Sequence, residues 1–543
     1  MADLAYPRPQ LRRDSFFTLD GEWTLNGQPI HVPYPPQAPL SGWKGSVPER
    51  LVYVRQFDLP EQFVNNTRRT LLHFGAVDQT AAVFLNGRQV CVHSGGYMPF
   101  VADITDMVLP AGNELRVEAE DRLLRCYPYG KQSRKPHGMW YTPVSGIWQS
   151  VWLEQVPDKY VFSLDMQTDR TGLTLTVQTN SKEYEAEVAI DGMPPLTVDV
   201  NTPVRLEIPE PRLWCPDDPF LYQMRIRFGE DEIESYFALR TVSVGKDRRG
   251  GAVIALNGQP VFLSGLLDQG YFPDGLFMPG DPAEYERDIL RAKVLGFNTL
   301  RKHIKVEPEG FYYACDRLGM LVIQDMVNSG PYSYFWDTLL PNLGFKHRPE
   351  LPWGDRNRRD LFEKHCRDIQ NRLAAHPCVI AYTIFNEGWG QYDTDRVYMK
   401  LKEHDPLHLY ISASGWFQGH DTDIDSEHIY FRNTVLRRKN RPLLLSECGG
   451  YAYDARSDSR QDAYGYGKTA SPEELTARIE TLYREMVLPS IGHGLNGVIY
   501  TQLTDVETEI NGLYTYDRTR CKVTAERLRT LNREADRQFR SML

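Results

Sequence analysis

One stretch constrains this chain more than any other: Val379-Ile380-Ala381-Tyr382-Thr383-Ile384-Phe385, which runs straight into Asn386-Glu387-Gly388-Trp389-Gly390. An unbroken apolar run of this length suits a strand covered on both faces, the habit of parallel sheets. A carboxylate where such a strand stops, beside glycines that admit a ligand, packs poorly and suits acid/base chemistry. A second segment has the same form, Leu443-Leu444-Leu445-Ser446-Glu447-Cys448-Gly449-Gly450. Each glutamate alone reads as a solvated strand end. Together, in this order of elements, they predict a carboxylate pair at one end of a parallel barrel.

The surrounding pattern agrees. From about residue 246, strands and helices alternate. Strands are expected at Val261–Leu267, Phe297–Arg301, Leu321–Asp325, Val379–Phe385, Leu409–Ala413, His428–Phe431, Leu443–Ser446 and Gly497–Thr501. Helical spacing marks Asp360–Ala374, with Leu361, Phe362, His365, Cys366, Ile369 and Leu373 on one stripe, and Pro472–Val487, opened by Ser471 as N-cap. With a closing helix near Ala525–Phe539, residues 246–543 count out a (β/α)8 TIM barrel. Glu387 then ends the fourth strand and Glu447 the seventh. The Pro-, Tyr- and Trp-rich segment Asn328–Trp353 follows the third strand and is expected to be a substrate-facing loop.

Residues 1–155 show only short alternating runs. Asn86-Gly87 between Val83-Phe84-Leu85 and Val90-Cys91-Val92 is a hairpin signal, and the class is a jelly-roll-like β-sandwich. Residues 156–245 repeat the habit on a smaller scale and predict an immunoglobulin-like β-sandwich, without the Cys and Trp spacing of antibody domains.

At 543 residues the chain exceeds one hydrophobic core. A net charge of −10 argues against a nucleic acid or an anionic membrane as partner. The eight cysteines show no CxxC and no Cys/His ligand spacing, which fits reduced thiols. The opening residues contain no apolar h-region, and nowhere do 18 apolar residues run together, so neither signal peptide nor membrane span is expected and a cytoplasmic location is. No dense acidic/His cluster for Mg²⁺ or Ca²⁺ is visible in the sequence, so no cofactor or metal is expected.

Four motifs in order carry a resemblance: Ser145-Gly146-Ile147-Trp148, Leu213-Trp214-Cys215-Pro216 with Pro219-Phe220-Leu221-Tyr222, Asn386-Glu387-Gly388-Trp389, and Ser446-Glu447. Over nearly its whole length the chain resembles glycoside hydrolase family 2, the family of β-galactosidases, β-glucuronidases and β-mannosidases. The resemblance implies that Glu387 is the general acid/base and Glu447 the nucleophile of a double displacement, with Asn386 on the sugar 2-hydroxyl. One carboxyl must be protonated and the other ionised, so Glu447 calls for a cation or strong donors nearby. Arg301, closing the second strand, is the best candidate, with an ion pair to Asp325 as its alternative. Tyr430 matches a family tyrosine that touches the nucleophile, or packs the core. Trp389 and Tyr500 offer apolar sugar platforms or plain barrel rim. His303 follows Arg301 by two residues where better-known members have a His at three. Asp268 binds a glycone hydroxyl or caps a loop.

The familiar β-glucuronidases carry an Asn-x-Lys element after the eighth strand. Here that region reads Glu509-Ile510-Asn511-Gly512-Leu513-Tyr514-Thr515-Tyr516, without lysine at that spacing. Lys302, Lys305, Arg432 and Lys468 are the cations left to neutralise a uronate, or are solvated surface charges. The expectation is a retaining exo-β-glycosidase for a galactose-configured glycone, β-galactosidase-like, with a β-hexuronidase acting on galacturonides or glucuronides as alternative. A non-catalytic carbohydrate-binding protein is the rival of another class. A carbohydrate substrate is expected, and the front sandwich offers a route to a homo-oligomer.

Overall fold

The computed structural model describes residues 6–64, 67–182, 185–342, 356–455 and 463–543. The first part is a sandwich. A four-stranded sheet, in the order Phe16–Thr18, Val151–Val156, Arg69–Phe74 and Phe100–Asp103, faces a six-stranded one. That second sheet runs Gln28–Val32, Gly21–Leu25, Arg50–Phe57, Asn113–Glu120, Thr80–Leu85 and Arg88–Ser94. Alternation along Asn113–Glu120 puts Leu115, Val117 and Ala119 inside and leaves Glu114 and Glu120 in water. Asn86 and Gly87 both adopt positive φ (50° and 79°), the geometry of a type I′ turn, and fix the register at Leu85 opposite Arg88.

A smaller sandwich follows. Val161–Thr168, Gly172–Thr179 and Val204–Glu207 form one sheet; Leu196–Val198, Ala186–Ile190, Tyr222–Phe228 and Asp231–Phe237 form the other. A three-stranded meander, Val242–Lys246, Ala252–Leu256 and Gln259–Pro260, leads into the barrel.

The barrel strands are β1 (Leu263–Asp268), β2 (Thr299–Lys302), β3 (Leu321–Asp325), β4 (Val379–Asn386), β5 (Leu409–Ser414), β6 (Asp425–Ile429), β7 (Leu443–Gly449) and β8 (Leu495–Thr501). Every pairing within this sheet is parallel, and β1 pairs with both β2 and β8, so the sheet curls round on itself. The ladder is open only between β5 and β6. β4 and β7 are buried along their full length, as an apolar run covered on both faces requires. The sixth strand starts three residues earlier than expected and ends two earlier. Its sequence, Asp-Ser-Glu-His-Ile, is polar and lacks the apolar run that marks its neighbours.

Outside the strands lie α1 (Ala283–Val294), α2 (Glu309–Leu318), α3 (Arg356–Leu373), α4 (Thr394–His404), α5 (Pro472–Leu482) and α6 (Ala525–Ser541). The Oγ of Ser471 accepts from the Glu474 amide (3.2 Å) and caps α5. The expected helix to Val487 gives way to a wide π turn at Tyr483–Val487, just before Pro489, which has no amide to continue the α ladder. Front-sandwich residues Tyr97, Tyr141 and Trp148 share one apolar core with the barrel, so the sandwich is fixed against the barrel wall. Of the segment Asn328–Trp353, residues 343–353 lie outside the described residues.

Candidate active site

Both glutamates stand at the C-terminal mouth of the barrel, where parallel strands present loop-borne groups. β4 ends abruptly because Glu387 takes positive φ (53°), as do Gly388 (76°) and Gly390 (65°). A left-handed glutamate is a strained residue, held here by its amide bonded to the Ser414 carbonyl (3.1 Å) and by the Trp389 amide bonded to the Asn386 carbonyl (3.0 Å). A Cβ on Gly388 would meet the Phe417 ring at 2.5 Å, so glycine is required there.

Glu447, on β7, is buried and sits among donors. Arg301 Nη1 donates to its Oε1 (2.9 Å), and the Tyr430 hydroxyl donates to its Oε2. Arg301 is itself fully buried. It binds Asp325 through Nε (3.0 Å) and donates through Nη2 to Asn386 Oδ1 (2.8 Å), which also accepts from Ser414 Oγ (2.6 Å). Both readings of Arg301 are therefore realised at once: it pairs with Asp325 and with Glu447.

His428 links the two carboxylates. Its Nδ1 lies 2.8 Å from Glu387 Oε1 and its Nε2 3.6 Å from Glu447 Oε1. A carboxylate oxygen from each glutamate and a ring nitrogen of His428 lie within 4.8 Å of one another. Burial alone would raise the Glu447 carboxyl; the charges of His428, Arg301, His303 and Lys131 outweigh it and hold it at about 2. Burial, with help from Lys131, lowers His303 to about 4, against the pull of its Asp325 partner (2.7 Å). Glu447 is thus an anion at neutral pH, enclosed and hydrogen-bonded.

Glu387, His428 and Glu447 are also the one group among the described residues that could hold a metal ion, a cluster the sequence did not reveal. The donor set fits a cation poorly. Arg301 and Tyr430 already occupy both Glu447 oxygens, and His428 Nδ1 is engaged with Glu387.

The cavity in front of these groups is lined by Asn386, Glu387, Trp389, Tyr430, Glu447 and His303. These expected residues come together, with Arg301 directly behind. Two do not. Asp268 turns away into a buried ion cluster, where Lys302 Nζ binds it at 2.6 Å. Tyr500 is 1% exposed and packs its ring against Gly449 and Tyr451, on the far side of the strand from the cavity. In a barrel, successive residues alternate between interior and helix layer, and Tyr500 falls on the wrong phase. Nor are Lys302 and Lys305 rim cations; both are buried against Glu307 (2.9 and 2.8 Å). Arg432 and Lys468 are exposed and outside the cavity.

Several cavity residues escaped sequence reasoning. Lys131, Met139 and Trp140 come from the front sandwich and Tyr466 from the loop after β7, whereas Tyr332 belongs to the segment Asn328–Trp353 that was expected to face the substrate. Trp140 packs edge-on against Trp389 (5.0 Å) and Tyr332 (5.1 Å). Glu509 and Gln269 belong to a buried polar chain. Tyr141 and Asn511 donate to Glu509; Gln269 and Gln502 are bonded (2.8 Å), as are Gln502 and Asn511 (2.8 Å).

Residues 10–157 match the family described as glycosyl hydrolases family 2, sugar binding domain, and residues 158–240 match glycosyl hydrolases family 2. The β-galactosidase of Thermoanaerobacter pseudethanolicus is 24% identical over 63% of this chain and 45% of its own length. The β-glucuronidase of Rattus norvegicus is 26% identical over 62% of this chain and 54% of its own. The chain spans about half the length of these curated relatives. Among solved structures, an uncultured Clostridium sp. β-glucuronidase superposes with a TM-score of 0.75 over 97% of this chain and 99% of that one, at 17% identity. A GH2 β-galacturonidase from Eisenbergiella tayi gives 0.70 over 97% of each, at 18% identity. At such identities the structures speak for the fold: sandwiches followed by a TIM barrel. Residues 10–240 thus match two consecutive domains of glycoside hydrolase family 2, and they lead into that barrel.

Proposed function

We propose that the protein is a retaining, exo-acting β-glycosidase in which Glu447 is the nucleophile and Glu387 the acid/base. The observation that carries this reading is the approach of the two carboxylates. Oxygens within 4.8 Å of each other lie close to the separation of about 5–5.5 Å at which a carboxylate reaches the anomeric carbon directly. A separation of about 6.5–9.5 Å, which leaves room for an intervening water, would favour inversion instead. Glu447, ionised and held by Arg301 and Tyr430, attacks the anomeric carbon. Glu387 gives its proton to the departing oxygen, then takes one from the water that releases the sugar. Asn386, its amide oxygen fixed by Arg301 and Ser414, keeps its Nδ2 donors for the 2-hydroxyl. Gln269 and Glu509, tied together behind the cavity by Gln502 and Asn511, give a one-sugar pocket its polar wall.

For the glycone we propose a galactose-configured sugar. Glu509, a carboxylate on the cavity, favours the neutral form, because it accepts from hydroxyls and repels a uronate. Lys131, a cation on the same cavity, favours the uronic alternative. A nitrophenyl panel of β-galactoside, galacturonide, glucuronide, mannoside and glucoside separates them by rate. Proton NMR of the first-formed product tests the mechanism: the β-anomer is expected, and initial release of the α-anomer would refute it. A carbohydrate binder without activity would release no chromophore from any member.

A further inference from the structure

Past Met139, Trp140 and Tyr332 the catalytic cavity opens into a wider cleft of about 1000 Å³. Its wall is basic. Arg125, Arg134, Lys135 and His137 line it, and no Asp or Glu does among the described residues. They come from one front-sandwich segment, Arg122–Trp140, which holds five Lys or Arg and no acidic residue in a chain whose net charge is −10. Arg134 is paired with Glu49 (2.9 Å), both side chains being exposed. Arg125, Lys131 and Lys135 have no carboxylate within 4.0 Å among the described residues. Aromatic rings stand opposite and between these cations: Trp140, Tyr332, Tyr334 and Tyr464.

A basic strip on a convex surface needs no explanation beyond solubility. This one is concave, ring-lined and continuous with the catalytic cavity. The direction of the chemistry adds a reason. Glu387 lies beside Trp389, whose ring touches Trp140, and Trp140 borders both spaces. A leaving group protonated by Glu387 departs past Trp140 into the basic cleft. We propose that this cleft is the leaving-group site and that it takes an anionic saccharide, a chain carrying carboxylates or sulfate esters, with ring faces on the aromatics and acid groups on Arg125, Arg134 and Lys135. The assignment of the cleft to the leaving-group side rests on the reading of Glu387 as the acid/base. Each exposed charge contact contributes a factor of roughly 1.5 to 5, so three together give about tenfold.

The test is calorimetric binding of three β-linked galacto-trisaccharides with the same terminal sugar to the full chain carrying Glu447→Gln, which leaves the ligands uncleaved. One is neutral, one carries carboxylates at C6 of the second and third units, and one carries O-sulfates there. At about 20 mM NaCl one or both acidic ligands should bind about tenfold tighter than the neutral one, and the two arms tell carboxylate from sulfate. At about 500 mM NaCl the advantage should shrink to less than about threefold. Arg134→Glu with Lys135→Glu should abolish it. If that double variant fails to fold, Arg125→Ala with Lys135→Ala should lower it about fivefold. A neutral ligand bound as tightly as the acidic ones, an acidic preference unmoved by these substitutions, or no measurable binding of any trisaccharide overturns the proposal. Failure of the glycosidase reading registers elsewhere, as silence across the nitrophenyl panel.

Discussion

Replacing His428 by glutamine should move the acid limb of the reaction toward neutrality. The imidazole Nε2 lies 3.6 Å from Glu447 Oε1, both side chains are buried, and its charge is the first among those holding the nucleophile at about 2. Two unit charges at that distance interact by about 5 kcal/mol at an effective dielectric of 20 and about 2 kcal/mol at 40. At 1.36 kcal/mol for each pH unit, removing the cation raises the carboxyl by about two to three pH units. The sign is fixed. Glu447 must be ionised to attack, its carboxyl is depressed in the folded protein, and losing a cation weakens that depression. In the parent protein Glu447 is therefore ionised across the whole range from about pH 4 upward. In the variant its protonation should cut kcat/KM below about pH 5. The assay is kcat/KM on a nitrophenyl glycoside with a good leaving group, which needs little help from Glu387, from about pH 3.5 to 8. Arg301 and Tyr430 remain to hold Glu447 in place, so the fold should persist. Profiles that superimpose within about half a pH unit would refute the view that His428 sets the charge state of the nucleophile.

Other substitutions separate roles. Glu447→Gln should lower kcat by at least about 10³-fold while thermal unfolding stays near the parent value. Glu387→Ala should cost about 10²–10⁴ on substrates with poor leaving groups and far less on dinitrophenyl glycosides, since only the former need a proton. Tyr500→Phe should change kcat/KM less than about twofold, whereas Trp140→Ala should raise KM about fivefold or more, because only the second ring faces the cavity. In the front sandwich, Glu154 is buried beside Arg13 (3.2 Å), Arg8 (3.3 Å) and His73 (3.2 Å). Burial would raise it, but these partners hold it far below the ordinary range. Its stabilising contribution is complete above the unfolded carboxyl value near 4.3 and is lost as pH falls below it. Glu154→Gln should therefore lower stability by about 3 kcal/mol at pH 7 in urea titrations, with the gap narrowing as pH falls below about 4.

Much of this protein is legible in one dimension. Apolar runs such as Val379–Phe385 and Leu443–Leu445 specify buried strands because only a strand inside the sheet keeps every such side chain from water. A glutamate directly after such a run is placed at the barrel mouth by strand direction alone, and so Glu387 and Glu447 are found without coordinates. Arg301 follows from its place at the close of the second strand, and Tyr430 from the family resemblance rather than from any apolar run. Phase is less secure. Asp268 and Tyr500 are near strand ends, but a shift of one residue turns a side chain to the other face, and both point away from the cavity.

What folding alone decided is who meets whom. His428 sits on a polar strand with no apolar pattern to announce it, and its place between two glutamates arises only when β4, β6 and β7 converge. Lys131 and Trp140 lie some 250 residues before Glu387 in the chain, and Glu509 takes its partner Tyr141 from the front sandwich. Local patterning reports which face of an element is apolar, because burial is a property of each side chain. Contacts across hundreds of residues are set by how whole domains pack, and no periodicity within either segment encodes them.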